Sequence, residues 1–175
     1  YINGTTTEST TANGSGVFTF TTGANANVVM SIYLDTGGGF TGSTVTKATG
    51  SALSNVHIYQ DRLTTRCDNT CSLTNANIDS WDKDNDTDIH ATSTEISPGL
   101  FALVVDNDWK LKVTNNTFAP GGNITTSPAG GSSYQGQVGI DASATLDMAS
   151  SALSIGGNYS NSGTFTAGSS STTFT

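Results

Sequence analysis

Apolar residues in this chain alternate with polar ones in short runs, and no stretch holds the 3.6-residue period of a helix. Gly16–Gly23 (GVFTFTTG) sets Val17, Thr19 and Thr21 against Phe18 and Phe20, which predicts a half-buried strand. In the next run Val28, Met30, Ile32 and Leu34 share one face. The GGGF stretch at 37–40 predicts a turn, followed by strands around Val45 and around Val56–Tyr59. Gly99–Asp106 (GLFALVVD) is the most apolar stretch and predicts a central strand. Immediately after it, Trp109, Leu111 and Val113 point inward while Lys110 and Lys112 point outward.

From Gly139 the pattern becomes regular. Short strands are predicted at 144–148, 152–155, 163–167 and 171–175, separated by Gly, Ser and Asn turns. Their inward candidates are Leu146, Met148, Leu153, Ile155, Phe165 and Phe174. Strand starts about eight to twelve residues apart fit a β-sandwich or the faces of a β-solenoid. Three regions result: a polar arm at 1–15, a β-domain at 16–138, and a repeat-like region at 139–175. Within the β-domain, residues 61–95 hold both cysteines and the densest acidic run, and read as an elaboration on the β-scaffold.

The tail, ATLDMASSALSIGGNYSNSGTFTAGSSSTTFT, resembles the repeats of large bacterial surface proteins with parallel β-helix or filamentous-haemagglutinin-like architecture. Leu153, Ile155, Gly156, Gly157, Asn158, Tyr159, Asn161, Gly163, Thr164 and Phe165 carry the resemblance. It covers roughly the last forty residues. It implies an all-β fold, with a β-solenoid at least in the C-terminal part and a sandwich as the alternative for the N-terminal part. Such a repeat buries its apolar face only against neighbours, and Thr175 falls within the repeat pattern. The expectation is therefore self-association or continuation of a longer chain. The implied role is a secreted or cell-surface structural protein that contributes to a fibre, sheath, surface layer or adhesin stalk.

Composition narrows the partners. Only 11% of residues are charged and the net charge is −8, which disfavours nucleic acid. The longest apolar run, Leu100–Val105, is far too short to span a bilayer as a helix, so no membrane insertion is expected. The sequence starts at Tyr1 without Met, consistent with a removed signal or a segment of a longer protein. Cys67 and Cys71 (RCDNTCS) suggest a short-range disulfide and an oxidising, extracellular setting.

Chemistry concentrates in DKDNDTDIHATSTE. Asp82, Asp84, Asp86 and Asp88 alternate, and Glu95 follows at the twelfth position counted from Asp84, which makes Ca²⁺ the expected cofactor. Ile89 stands where an EF-hand loop requires glycine, so a looser extracellular calcium loop is the expectation. Trp81, beside this run, is the candidate ligand contact of an alternative reading, a carbohydrate-binding adhesive module. A third reading is a polysaccharide-degrading enzyme, with Asp79 and the alternating aspartates as acids and Arg62, Arg66 or Lys83 neutralising a uronate. Against it, His57 and His90 each stand alone in the sequence and no nucleophile motif occurs, so no catalytic residue is assigned and the chain is read as a non-enzyme.

Overall fold

The computed structural model describes residues 8–21, 23–35, 39–68, 71–80, 86–127 and 136–175. Among them the chain is nearly all β. A hairpin of β1 (Val29–Tyr33) and β2 (Ser43–Lys47) leads to β3 (Arg62–Arg66), β4 (Ser72–Leu73) and a five-residue helix, α1 (Asn75–Asp79). A second hairpin, β5 (Ala91–Ser97) and β6 (Leu100–Val105), precedes the long β7 (Lys110–Phe118) and β8 (Ile124–Thr126). The chain then makes two regular passes. These are β9 (Val138–Ile140), β10 (Ala144–Asp147) and β11 (Leu153–Ile155), then β12 (Tyr159–Asn161), β13 (Thr164–Thr166) and β14 (Thr172–Phe174).

Parallel pairing links strands from successive passes. The first half of β7 lies between β3 and β9, and its second half lies between β4 and β10. One strand thus serves two faces, bending at Asn116, whose φ of 54° is a left-handed conformation that asparagine tolerates. On the third face β8 sits between β6 and β11. The strands β12, β13 and β14 then add to β9, β10 and β11 in parallel register. Only β1 and β5 join antiparallel, at the opposite end of the stack. The pairing makes two mixed sheets of nine and five strands, neither of them closed.

Register turns alternation into ladders of like side chains. Leu63, Leu111, Val138 and Tyr159 follow one another on the first face. Leu73, Phe118, Leu146 and Phe165 do so on the second. Leu103, Ile124 and Leu153 form the third ladder, and all three converge on a single core cluster. Trp109 closes one end of the core and is buried, its indole Nε1 donating to Thr41 Oγ1 at 2.8 Å. The corner between β12 and β13 depends on glycine: a Cβ on Gly163 would lie 2.2 Å from the Asp141 carbonyl oxygen of the pass beneath.

Several expectations need correction. Residues 16–21 form no strand, because their backbone pairs with no neighbouring strand; Asn13 folds the segment into a turn, accepting from the amides of Ser15 and Val17. Residues 56–59 are likewise not a strand but cross the outer face of β2 and β3. In β1 it is Val29 and Ser31 that face the core side, and Met30 and Ile32 lie on the opposite face beneath Val17–Phe20. The strand β6 is next to the edge rather than central, and Leu100 and Val104, on the face opposite Leu103 and Val105, are exposed. Among the inward candidates of the tail, Leu146, Met148, Leu153 and Ile155 are buried and Phe165 half-buried, but Phe174 is 63% exposed at the end of the stack. The helix α1 and the strand β12 were not expected. The segment 61–95 contains β3, β4, α1 and the start of β5.

Leu146 is packed between Phe118 and Phe165, so Leu146→Ala should cost about 2–5 kcal/mol. Phe174→Ser should stay within about 0.5 kcal/mol in the isolated chain. Urea unfolding followed by circular dichroism checks both; equal effects would mean the ladder does not hold the core.

Candidate functional site

Five of the six basic residues, Lys47, Arg62, Arg66, Lys110 and Lys112, lie on three consecutive strands, β2, β3 and β7. The alternation that sends Leu63, Leu111 and Val113 inward sends Arg62, Thr64, Arg66, Lys110 and Lys112 to the outer face. Residues 51–59, which have no regular structure, run across this face as a strap. The strap runs so close that a Cβ on Gly42 would lie 2.4 Å from the carbonyl oxygen of Tyr59. Thr44 Oγ1 ties it down by donating to the His57 carbonyl at 2.6 Å. Tyr59 turns its ring over two cations, with Arg62 Cζ at 5.5 Å and Lys112 Nζ at 5.1 Å from the centroid.

Where the strap leaves the outer face uncovered there is an open cleft of about 270 Å³. Asn55, His57 and Tyr59 form one wall, Thr64 and Arg66 the floor, and Thr114, Asn115, Asp141 and Ser143 the far side. The charged groups of the cleft are answered. Arg66 is paired with Asp68 and also donates from Nη1 to the Asn55 carbonyl at 2.7 Å. Asp141 accepts from Lys112 Nζ at 2.5 Å. Two polar atoms are not answered: Thr64 Oγ1 and Arg66 Nε are buried and have no hydrogen-bond partner among the described residues. Beside the cleft, burial lowers the Lys110 ammonium below its ordinary value; the neighbouring Arg62 adds to this and Asp61 opposes it.

A second cluster joins His90, Asp108 and Trp109. The turn after β6 brings Asp108 Oδ2 to 2.5 Å from His90 Nδ1, and the His90 ring stacks on Trp109 with centroids 5.2 Å apart. His90, isolated in the sequence, thus gains a carboxylate and an aromatic face. Among the described residues no hydroxyl or thiol is hydrogen-bonded to it.

The residues named for calcium and ligand contact are distributed as follows. Trp81, Asp82 and Asp84 lie outside the described residues. Asp86 Oδ2 accepts from Tyr33 Oη at 2.7 Å, and its Oδ1 accepts from the Asp88 amide at 3.0 Å. Glu95 lies on β5, where its Oε1 accepts from the amide of Gly99 at 2.8 Å and secures the hairpin turn. Among the described residues no group of three or more acidic, His or Cys side chains converges as metal ligands. Cys67 and Cys71 form the disulfide that their spacing suggested, with Cα atoms 6.1 Å apart. The Cys67 carbonyl accepts from Asn116 Nδ2 at 2.6 Å, so the bridge is anchored where β7 bends. Membership of the cleft was not readable in advance, because its residues run from Asn55 to Ser143 with no common spacing.

Replacing both cysteines by serine should lower unfolding stability by about 2 kcal/mol, the loop-closure entropy of so short a ring. Urea titration of the variant reads this, and an unchanged midpoint would show that the corner holds without the bridge. Comparison of the chain with protein-family models, with curated proteins and with solved structures finds no match.

Proposed function

We propose that the chain is a β-solenoid of the parallel β-helix type, and that it serves as a structural element of a secreted or cell-surface assembly: a fibre, sheath, surface layer or adhesin stalk. The observation that carries this reading is the register of the last two passes. Val138 pairs with Tyr159, Thr145 with Thr164 and Leu153 with Thr172, spacings of 21, 19 and 19 residues, all parallel. A repeat of about twenty residues that visits three faces in the same order is the geometry of a stack that grows along one axis.

The two ends of the stack differ. At one, the antiparallel strands β1 and β5 are added. At the other, β12, β13 and β14 each pair on one side only among the described residues. These three strands contain no lysine, proline or other charged residue, the usual guards of an open strand edge. The edge is suited to further strands of the same kind, from a second copy or from more of the same chain.

The 175-residue chain should therefore associate as its concentration rises, and Ser160→Lys with Thr173→Lys should return it to monomer. Sedimentation velocity measures this; a monomer at every concentration would overturn the assembly reading. The same runs with Ca²⁺ and then a chelator test the calcium expectation. A chelator-sensitive size or melting midpoint supports a bound cation in the Asp86–Asp88 segment, and insensitivity of both removes it.

A further inference from the structure

We propose that the cleft between the strap at 51–59 and the outer face of β3, β7 and the turn after β9 is a binding site for one neutral pyranose unit of a glycan. This goes beyond the structural role, because the site lies on the side of the stack and needs no end-to-end contact.

Thr64 is the first reason. It sits on the outer face of β3, yet the strap leaves it only 1% exposed, and its hydroxyl has no partner among the described residues. A buried hydroxyl without a partner costs stability, and such groups are rare in folded proteins. Thr64 lines the cleft, so a group entering there supplies the missing bond. Arg66 Nε repeats the observation one step along the strand: the side chain is 11% exposed, two of its nitrogens are engaged, and the third, which adds a donor to the same cleft, is unpaired.

The remaining lining identifies the ligand chemistry. Arg66 is neutralised by Asp68, and Asp141 by Lys112, so neither an anion nor a cation meets an unanswered charge in the cleft. The lining groups nevertheless combine strong acceptors and donors: the Asp141 carboxylate, the Asn55 and Asn115 amides, the Ser143 hydroxyl and, beneath them, the buried Thr64 hydroxyl. A ligand carrying several hydroxyls, each able to donate and accept, satisfies so mixed a set. His57 and Tyr59, with ring centroids 5.9 Å apart, add an aromatic wall against which the C–H face of a sugar ring packs. At about 270 Å³ the cleft is small, suited to one ring rather than an extended chain.

The test is saturation-transfer NMR and calorimetry on the 175-residue protein, with methyl β-glucopyranoside, methyl β-galactopyranoside, methyl α-mannopyranoside and the charged methyl β-glucuronopyranoside. At least one neutral glycoside is expected to bind. Thr64→Val should weaken it roughly three- to tenfold, the worth of one hydrogen bond, with a melting midpoint equal to or above that of the parent, since an unpaired buried hydroxyl has gone. His57→Ala, on the exposed strap, should also weaken binding, whereas Phe174→Ser should leave it unchanged. The proposal is overturned if no glycoside binds, if binding is the same in the Thr64 and His57 variants, or if the glucuronide binds best and weakens with salt.

Discussion

In-register parallel pairing is the constraint on which the rest of this structure depends. Once β9, β10 and β11 are in place, each inward side chain of the next pass must lie over its counterpart. The consequence is a core built as ladders, with Phe118, Leu146 and Phe165 in one line and Ile124 and Leu153 in another. Some polar residues enter the ladders with their bonds arranged, whereas the Ser43 hydroxyl, beside Leu63, has no partner among the described residues. Thr126 stands between Val105 and Ile155, fully buried, and its hydroxyl donates to the Gly136 carbonyl and accepts from the Gly156 amide. Asn75 is buried beside the β5–β6 hairpin, and its amide bridges the carbonyls of Phe101 and Asn123 at 2.9 and 3.1 Å.

The same constraint dictates where extra chain can go. A ladder takes in at most a single extra residue, as at Thr114 opposite Thr65 and Arg66, so longer additions leave the stack between strands and return to it. Residues 48–61, between β2 and β3, do this and lie back over the outer face. Residues 74–80, after β4, leave the stack as α1, with the Thr74–Asn77 capping box starting the helix. The chemistry that distinguishes this molecule from a plain stack is therefore carried outside the ladders. Its aromatic strap and its His90–Asp108 pair depend on these excursions or on turns, while the cations Arg62, Arg66, Lys110 and Lys112 stand on the outer face of β3 and β7.

How much was legible follows from the same physics. Alternation reports sidedness wherever a strand has a core on one face and water or charge on the other. The sidedness of Trp109–Val113 was therefore readable from two lysines set among apolar residues, and so were the buried positions Leu146, Met148, Leu153 and Ile155. Alternation does not report whether a partner strand exists. Val17–Thr21 and Val56–Tyr59 have the composition of strands and pair with none. Phe174 occupies the ladder position over Ile155, and its exposure reflects the absence of a following pass among the described residues, which no local pattern encodes. Tyr159–Asn161 has little apolar character, and its strand exists because β9 offers an edge in register. The cleft was hidden for a further reason: Asn55, Thr64, Asn115 and Asp141 meet only after three passes have been stacked.

Stacking and side-face binding act in perpendicular directions, and this decides how the two proposed roles relate. The proposed growth along the axis would use the edges of β12, β13 and β14 that are unpaired among the described residues, whereas the cleft opens sideways at the level of β3, β7 and β9. Adding passes at the open end extends the ladders without covering Thr64, Arg66 or the strap. The cost of leaving the Thr64 hydroxyl unpaired is borne within a core held by pairing on both sides, since β3 lies between β2 and β7. The interior of the stack thus suits the proposed recognition site, and the exposed edge suits the proposed assembly.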